Sequence, residues 1–148
     1  MNEFCMKIRK MITHHLVKGE DLNHHGTLFA ARMAEWFVEA GFISAAACVP
    51  AKQIVLVKIN SMDFVRPVKP GEILRMESAV VSAGRTSLVS HITASVDGVP
   101  AVFGFITFVN VDEAGKPMPH GVEITLETEE ERKLQKEAGS FAKRPEAQ

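Results

Sequence analysis

Asn23-His24-His25-Gly26-Thr27-Leu28-Phe29 leads directly into the segment 30–47, and this passage decides the fold. Residues 30–47 form the only long helical pattern ahead of the C-terminal tail. Phe29, Met33, Trp36, Phe37, Ala40 and Ala47 recur at spacings of three, four and seven, which keeps them on one helical face. A single helix with a wide apolar face needs a broad apolar surface, and a curved sheet supplies one. The entrance suits a helix start. Asn23 is a good N-cap type, and Gly26 lets the backbone turn tightly. The first turn of such a helix aims unpaired N–H groups at whatever lies in front of it, where an oxyanion or a polarised carbonyl can sit.

Strand patterns flank the helix. Met6, Ile8, Ile12, His14 and Leu16 share one parity, which reads as a strand with that side apolar. Beyond Pro50, the segments 53–63, 73–82, 86–96 and 99–111 read as four more strands. Arg66-Pro67-Val68-Lys69-Pro70-Gly71 is a loop, because two prolines remove two ladder donors. Asp97-Gly98 is a two-residue hairpin signal. The segment 99–111 is apolar on both parities, so it is expected to be central or covered by a partner subunit. Residues 128–138 read as a charged helix with Glu129, Glu130 and Glu131 in its first turn, and fraying is expected from Gly139 on. The expected fold class is α+β: a long central helix wrapped by a five-stranded antiparallel sheet over residues 1–125, then a charged tail over 126–148.

Composition sets further limits. The chain has 148 residues, enough for one domain with a sizeable core. Its formal charge of −1 gives no basic balance to recommend a nucleic-acid partner. The two cysteines, Cys5 and Cys48, lack metal-type spacing and do not suggest a disulfide framework. No apolar run reaches membrane-span length, and the N-terminus lacks a signal-peptide core, so a cytoplasmic protein with no membrane partner is expected.

Taken together, several motifs resemble a known family: Asn23-x-x-Gly26-x-x-Phe29, Trp36 with Glu39-Ala40, Phe64-Val65-Arg66-Pro67-Val68-x-x-Gly71-Glu72, Gly84-Arg85-Thr86-Ser87, and Phe105-x-x-Phe108-Val109-x-Val111-Asp112-x-x-Gly115-Lys116-Pro117-x-Pro119. The set is similar to the acyl-CoA hydrolase branch of the hotdog-fold thioesterases. The resemblance implies a hotdog fold and hydrolysis of an acyl-CoA thioester by water, with no metal and with coenzyme A present only as part of the substrate. It also implies a dimer joined sheet edge to sheet edge, commonly assembled into a hexamer of three dimers. In one respect the sequence departs from the branch. The branch places an Asp nine positions after the Phe, and here that position is Val38.

The resemblance and the helical spacing together select the site candidates. Asn23 is expected to hold water or polarise the carbonyl. Glu35 shares a helical face with position 38 and is the first candidate for the base, with a surface pairing to Arg32 as its competing role. Glu39 and His25 are further candidates. Arg85, Thr86 and Ser87 offer a guanidinium fork and two hydroxyls for the phosphates and amides of coenzyme A. His14 and His15 read as structural, His91 falls on a polar parity and carries no specific signal, and Cys48 reads as packing. Two other functions stay open. One is a non-catalytic acyl-CoA-binding protein; the other is a hydratase, for which no motif is present.

Overall fold

The computed structural model describes residues 5–141. Strand β1 (Cys5–Lys7) and strand β2 (Met11–Leu16) precede helix α1 (Ala30–Ala46). Strands β3 (Ile54–Phe64), β4 (Ile73–Ala83), β5 (Ser87–Val96) and β6 (Val99–Asn110) follow. A short strand β7 (Glu123–Thr125) and helix α2 (Glu129–Gly139) close the described chain. Strands β2-β4-β5-β6-β3 form a five-stranded antiparallel sheet in that order, and β1 pairs with β7 in a separate parallel ribbon. Helix α1 contacts all five strands of the main sheet. This is the helix-in-sheet arrangement implied by the hotdog resemblance.

The core lies between α1 and the concave side of the sheet. Met33, Trp36, Phe37, Ala40 and Ala45 pack there against Leu74, Met76, Leu88, Ile92, Ile106 and Phe108. Close approach depends on Gly41, where an added Cβ would lie 3.2 Å from Ile92 and from Ile106. Two buried sheet serines, Ser78 and Ser90, and Ser44 of α1 itself surround the Ala40 and Gly41 carbonyls. Ser78 donates to the Ala40 carbonyl at 2.6 Å, Ser90 and Ser44 donate to the Gly41 carbonyl at 3.0 and 2.9 Å, and the Ser44 and Ser90 hydroxyls lie 2.8 Å apart. Each buried hydroxyl therefore has a partner.

The structure corrects several expectations. The first strand is interrupted into β1 and β2. In β2 the apolar parity faces outward, with Ile12 at 45% and Leu16 at 50% exposure. The opposite parity turns toward α1, and the His15 ring stacks on Trp36, with centroids 4.2 Å apart and planes 9° from parallel. Phe29 is half-exposed instead of part of the buried stripe. Asn23 is not the N-cap of α1; Phe29 holds that position without a side-chain bond. Strand β6 lies between β5 and β3, and part of its second apolar face is covered from within the chain. Leu134, Ala138 and Phe141 pack around Phe105, whose ring centroid lies 5.3 Å from that of Phe141. The capping box of α2, Thr128 with Glu131, starts that helix where the acidic run predicts it. Residues 142–148, where fraying is expected, lie outside the described residues.

Candidate active site

The loop 23–29 is built around the side chain of Asn23. Its Oδ1 accepts the His25 N–H at 2.8 Å and the Thr27 N–H at 3.2 Å. Its Nδ2 donates to Thr27 Oγ1 at 3.2 Å and to the Leu28 carbonyl at 3.5 Å. This is an Asx-type turn, in which a short amide replaces missing backbone partners. Gly26 supplies the required positive φ of 78°. Phe29 N–H then bonds the Asp21 carbonyl and Leu28 N–H the Val68 carbonyl, both at 2.8 Å, which fixes where α1 begins. Among the described residues no side chain caps α1, so its first-turn N–H groups keep their capacity to bind an oxyanion.

Beside this entrance is a cleft of about 450 Å³. Asn23, Thr27, Ala30 and Met33 form one wall, and Phe64, Val65, Arg66, Pro67, Val68 and Val102 form most of the other. Its size is that of a small-molecule site, with apolar walls and few polar groups.

Glu35 is not among the cleft-lining residues. Its side chain is 66% exposed and lies 3.9 Å from Arg32 Nη1. Arg32 Nε in turn lies 3.4 Å from Asp21 Oδ1. Asp21 is buried, and its Oδ2 accepts the Lys18 N–H at 2.9 Å. Nothing in the sequence spacing of Asp21 announces a buried carboxylate. Val38 is half-buried against the core, and Glu39 is exposed. His24 and His25 are exposed with rings 3.9 Å apart, and no cluster of potential metal ligands occurs among the described residues. Burial pushes the Cys48 thiol up to about 11, which leaves it a packing residue and not a nucleophile.

Arg85, Thr86 and Ser87 occupy the β4–β5 turn, fixed through their backbones. Asn110 N–H donates to the Thr86 carbonyl at 2.8 Å and His120 N–H to the Arg85 carbonyl at 3.3 Å. His120 Nδ1 accepts the Val122 N–H at 2.9 Å, so its Nε2 carries the proton and donates to the Ser87 carbonyl at 2.9 Å. Among the described residues, the three side chains make no hydrogen bond or ion pair. The turn lies near the C-terminal end of α1, where Gln53 meets Val111. A 17-residue helix spans about 25 Å, so within one chain Asn23 and Arg85 stand at opposite ends of the fold.

Residues 25–99 match the family model of the thioesterase superfamily. The chain belongs to that superfamily. Within it, this thioesterase-superfamily chain is 30% identical over 134 residues to an uncharacterized acyl-CoA thioester hydrolase, YkhA, of Bacillus subtilis, covering 86% of this chain and 76% of that one. An acyl-CoA hydrolase of Staphylococcus aureus, solved with butyryl coenzyme A and coenzyme A, superposes with a TM-score of 0.82 at 27% identity, over 92% of this chain and 87% of that one. A hexameric acyl-CoA thioesterase superposes with a TM-score of 0.79 at 29% identity, over 88% of this chain and 86% of that one. Alanine variants of the Staphylococcus aureus enzyme replace an Asn, an Asp and a Thr. The Asn and Asp are as far apart there as Asn23 and Val38 are here, and the Thr lies as far beyond the Asn as Val55 lies beyond Asn23. At those spacings this superfamily member has the Asn and two valines.

Proposed function

We propose that this protein hydrolyses acyl-CoA thioesters to the free acid and coenzyme A. The observation that carries the proposal is the cleft in which Asn23 stands beside the uncapped first turn of α1, in a member of the thioesterase superfamily. The thioester carbonyl points at the first-turn N–H groups near Ala30. Water adds to the carbonyl carbon, and those N–H groups stabilise the oxyanion. The oxyanion then collapses, the C–S bond breaks, and the thiolate leaves and takes up a proton. Asn23 Nδ2 makes the longest bond of its loop, 3.5 Å to the Leu28 carbonyl, and is the group able to turn toward the substrate.

Glu35 is the proposed base, acting on the cleft of a neighbouring subunit, because its exposed side chain does not line its own. Arg85, Thr86 and Ser87 take the phosphate and amide oxygens of coenzyme A from the far end of a shared site. The proposed assembly is a dimer joined along β3, with a hexamer of three dimers as the larger form. Val55, Leu56, Val57 and Ile59 on that edge strand are 40–42% exposed, and among the described residues one side of its ladder is unpaired. A reducing compartment such as the cytoplasm fits a chain with only two cysteines, at no framework-type spacing. No helix of the described residues is long and apolar enough to cross a membrane.

Incubation with a panel of acyl-CoAs followed by mass spectrometry of the products tests the proposal. Equal amounts of acid and free coenzyme A are expected. Recovery of intact thioester across the panel, with coenzyme A binding retained, would favour the non-catalytic binder.

A further inference from the structure

Among the described residues, Arg66 is the only charged one lining the cleft beside Asn23. Among the described residues, no carboxylate shares the cleft and Arg66 forms no ion pair. At this apolar mouth the guanidinium has no ion-pair partner among the described residues. Its position, however, is well defined. The N–H groups of Val65 and Arg66 both donate to the Ala101 carbonyl, at 2.8 and 3.3 Å. Pro67 restricts the next φ, and the Val68 carbonyl accepts the Leu28 N–H at 2.8 Å. The loop that carries Arg66 is therefore fastened on one side to the start of β6 and on the other to the segment that opens α1. Such anchoring reduces the ordering cost when the side chain engages a ligand. A planar guanidinium matches a carboxylate or a phosphate in two-pronged geometry.

We propose that Arg66 binds an anionic oxygen group of the substrate at the mouth of this cleft. The proposal rests on reading the cleft as the acyl-CoA site. Two sources offer the same chemistry: a carboxylate at the far end of the acyl group, or a phosphate of coenzyme A. In both cases the contact lies away from the reacting carbon and is equally strong in ground and transition states. Losing it raises KM and leaves kcat nearly unchanged.

The test is steady-state kinetics of wild type, Arg66→Gln and Arg66→Lys on three thioesters: a straight-chain acyl-CoA, an acyl-CoA of the same length ending in a carboxylate, and the straight-chain acyl-pantetheine. A KM increase of roughly ten- to a hundred-fold in Arg66→Gln is expected, with partial recovery in Arg66→Lys. An increase with both coenzyme A esters but not with the pantetheine ester assigns the phosphate. An increase confined to the carboxylate-ended ester assigns the acyl carboxylate. KM values within two-fold of wild type on all three overturn the proposal, while wild-type turnover on the same panel keeps the hydrolase reading intact. If wild type hydrolyses none of them, that reading fails on its own. A calorimetric titration with coenzyme A and with the carboxylate-ended ester then reads Arg66 independently, and unchanged affinities in Arg66→Gln overturn the proposal.

Discussion

Asn23 and Thr27 hold each other in place: the Asn23 Oδ1 accepts the Thr27 N–H at 3.2 Å, and the Asn23 N–H bonds the Thr27 carbonyl at 2.7 Å. The loop in front of α1 therefore depends on one amide side chain. Asn23→Ala should remove the Oδ1 bonds to the His25 and Thr27 N–H groups and lower stability by about 1–3 kcal/mol. Denaturant titration checks this. Asn23→Asp keeps Oδ1 as an acceptor and should recover most of the loss.

Glu35 and Val38 decide where the base resides. If Glu35 serves a neighbouring cleft, Glu35→Gln should lower kcat by roughly 10²–10⁴-fold and leave acyl-CoA binding intact. Its surface pairing with Arg32, 3.9 Å long and exposed, should contribute well under 1 kcal/mol of stability. Val38→Asp places a carboxylate at the branch's usual position. A large gain in thiol release from Val38→Asp, with no loss from Glu35→Gln, would remove Glu35 from the mechanism.

Stability should fall on acidification below neutrality. Burial between β5 and α2 lowers the pKa of His91, against the opposing pull of Glu77 and Glu130. Burial against Trp36 lowers that of His15, opposed by Glu39 and Asp21 and aided by Lys18 and His14. The folded chain thus binds these protons less readily than the unfolded chain, whose His value is 6.5. Between the two values the unfolded state holds more protons, so stability rises with pH there. The contribution is complete well above 6.5 and is lost as pH falls through it toward the folded values. Melting temperature measured from pH 8 to pH 5 should decline, and His91→Gln should flatten the decline.

Much of this was legible in the sequence, and the failures have identifiable physical causes. The buried positions of α1 from Met33 to Ala40 follow their 3.6-residue period, and Asp97-Gly98 forms its hairpin with φ of 49° and 80°. The facing of β2 was not legible. Parity marks two sides of a strand, but pairing with β4 determines which side meets the helix, and His15 meets it by presenting a flat ring to Trp36. The role of Asn23 was half legible. Asn suits both a helix cap and an Asx turn, and only the position of Phe29 separates them. Asp21 was invisible because its partner Arg32 lies eleven residues away across a loop. Glu35 and Arg85 could be selected by motif, but their distance from the cleft depends on how the chain folds and assembles.

The exposed β3 edge should join subunits. Val57 is 40% exposed there, and a charge on a pairing edge opposes association. Light scattering at micromolar concentration should show at least a dimer for wild type. Val57→Lys should shift it toward monomer, and if the site is shared between subunits, turnover should fall with it.

The most direct test of acyl-CoA hydrolysis at the Asn23 cleft is the rate of thiol release from a saturating acyl-CoA by wild type and Asn23→Ala, both shown to be folded. Steady release by wild type is expected, with at least a ten-fold loss in the variant, corresponding to about 1.4 kcal/mol of barrier. Equal rates in the two proteins, or no release by a wild-type protein that binds coenzyme A, would contradict the account.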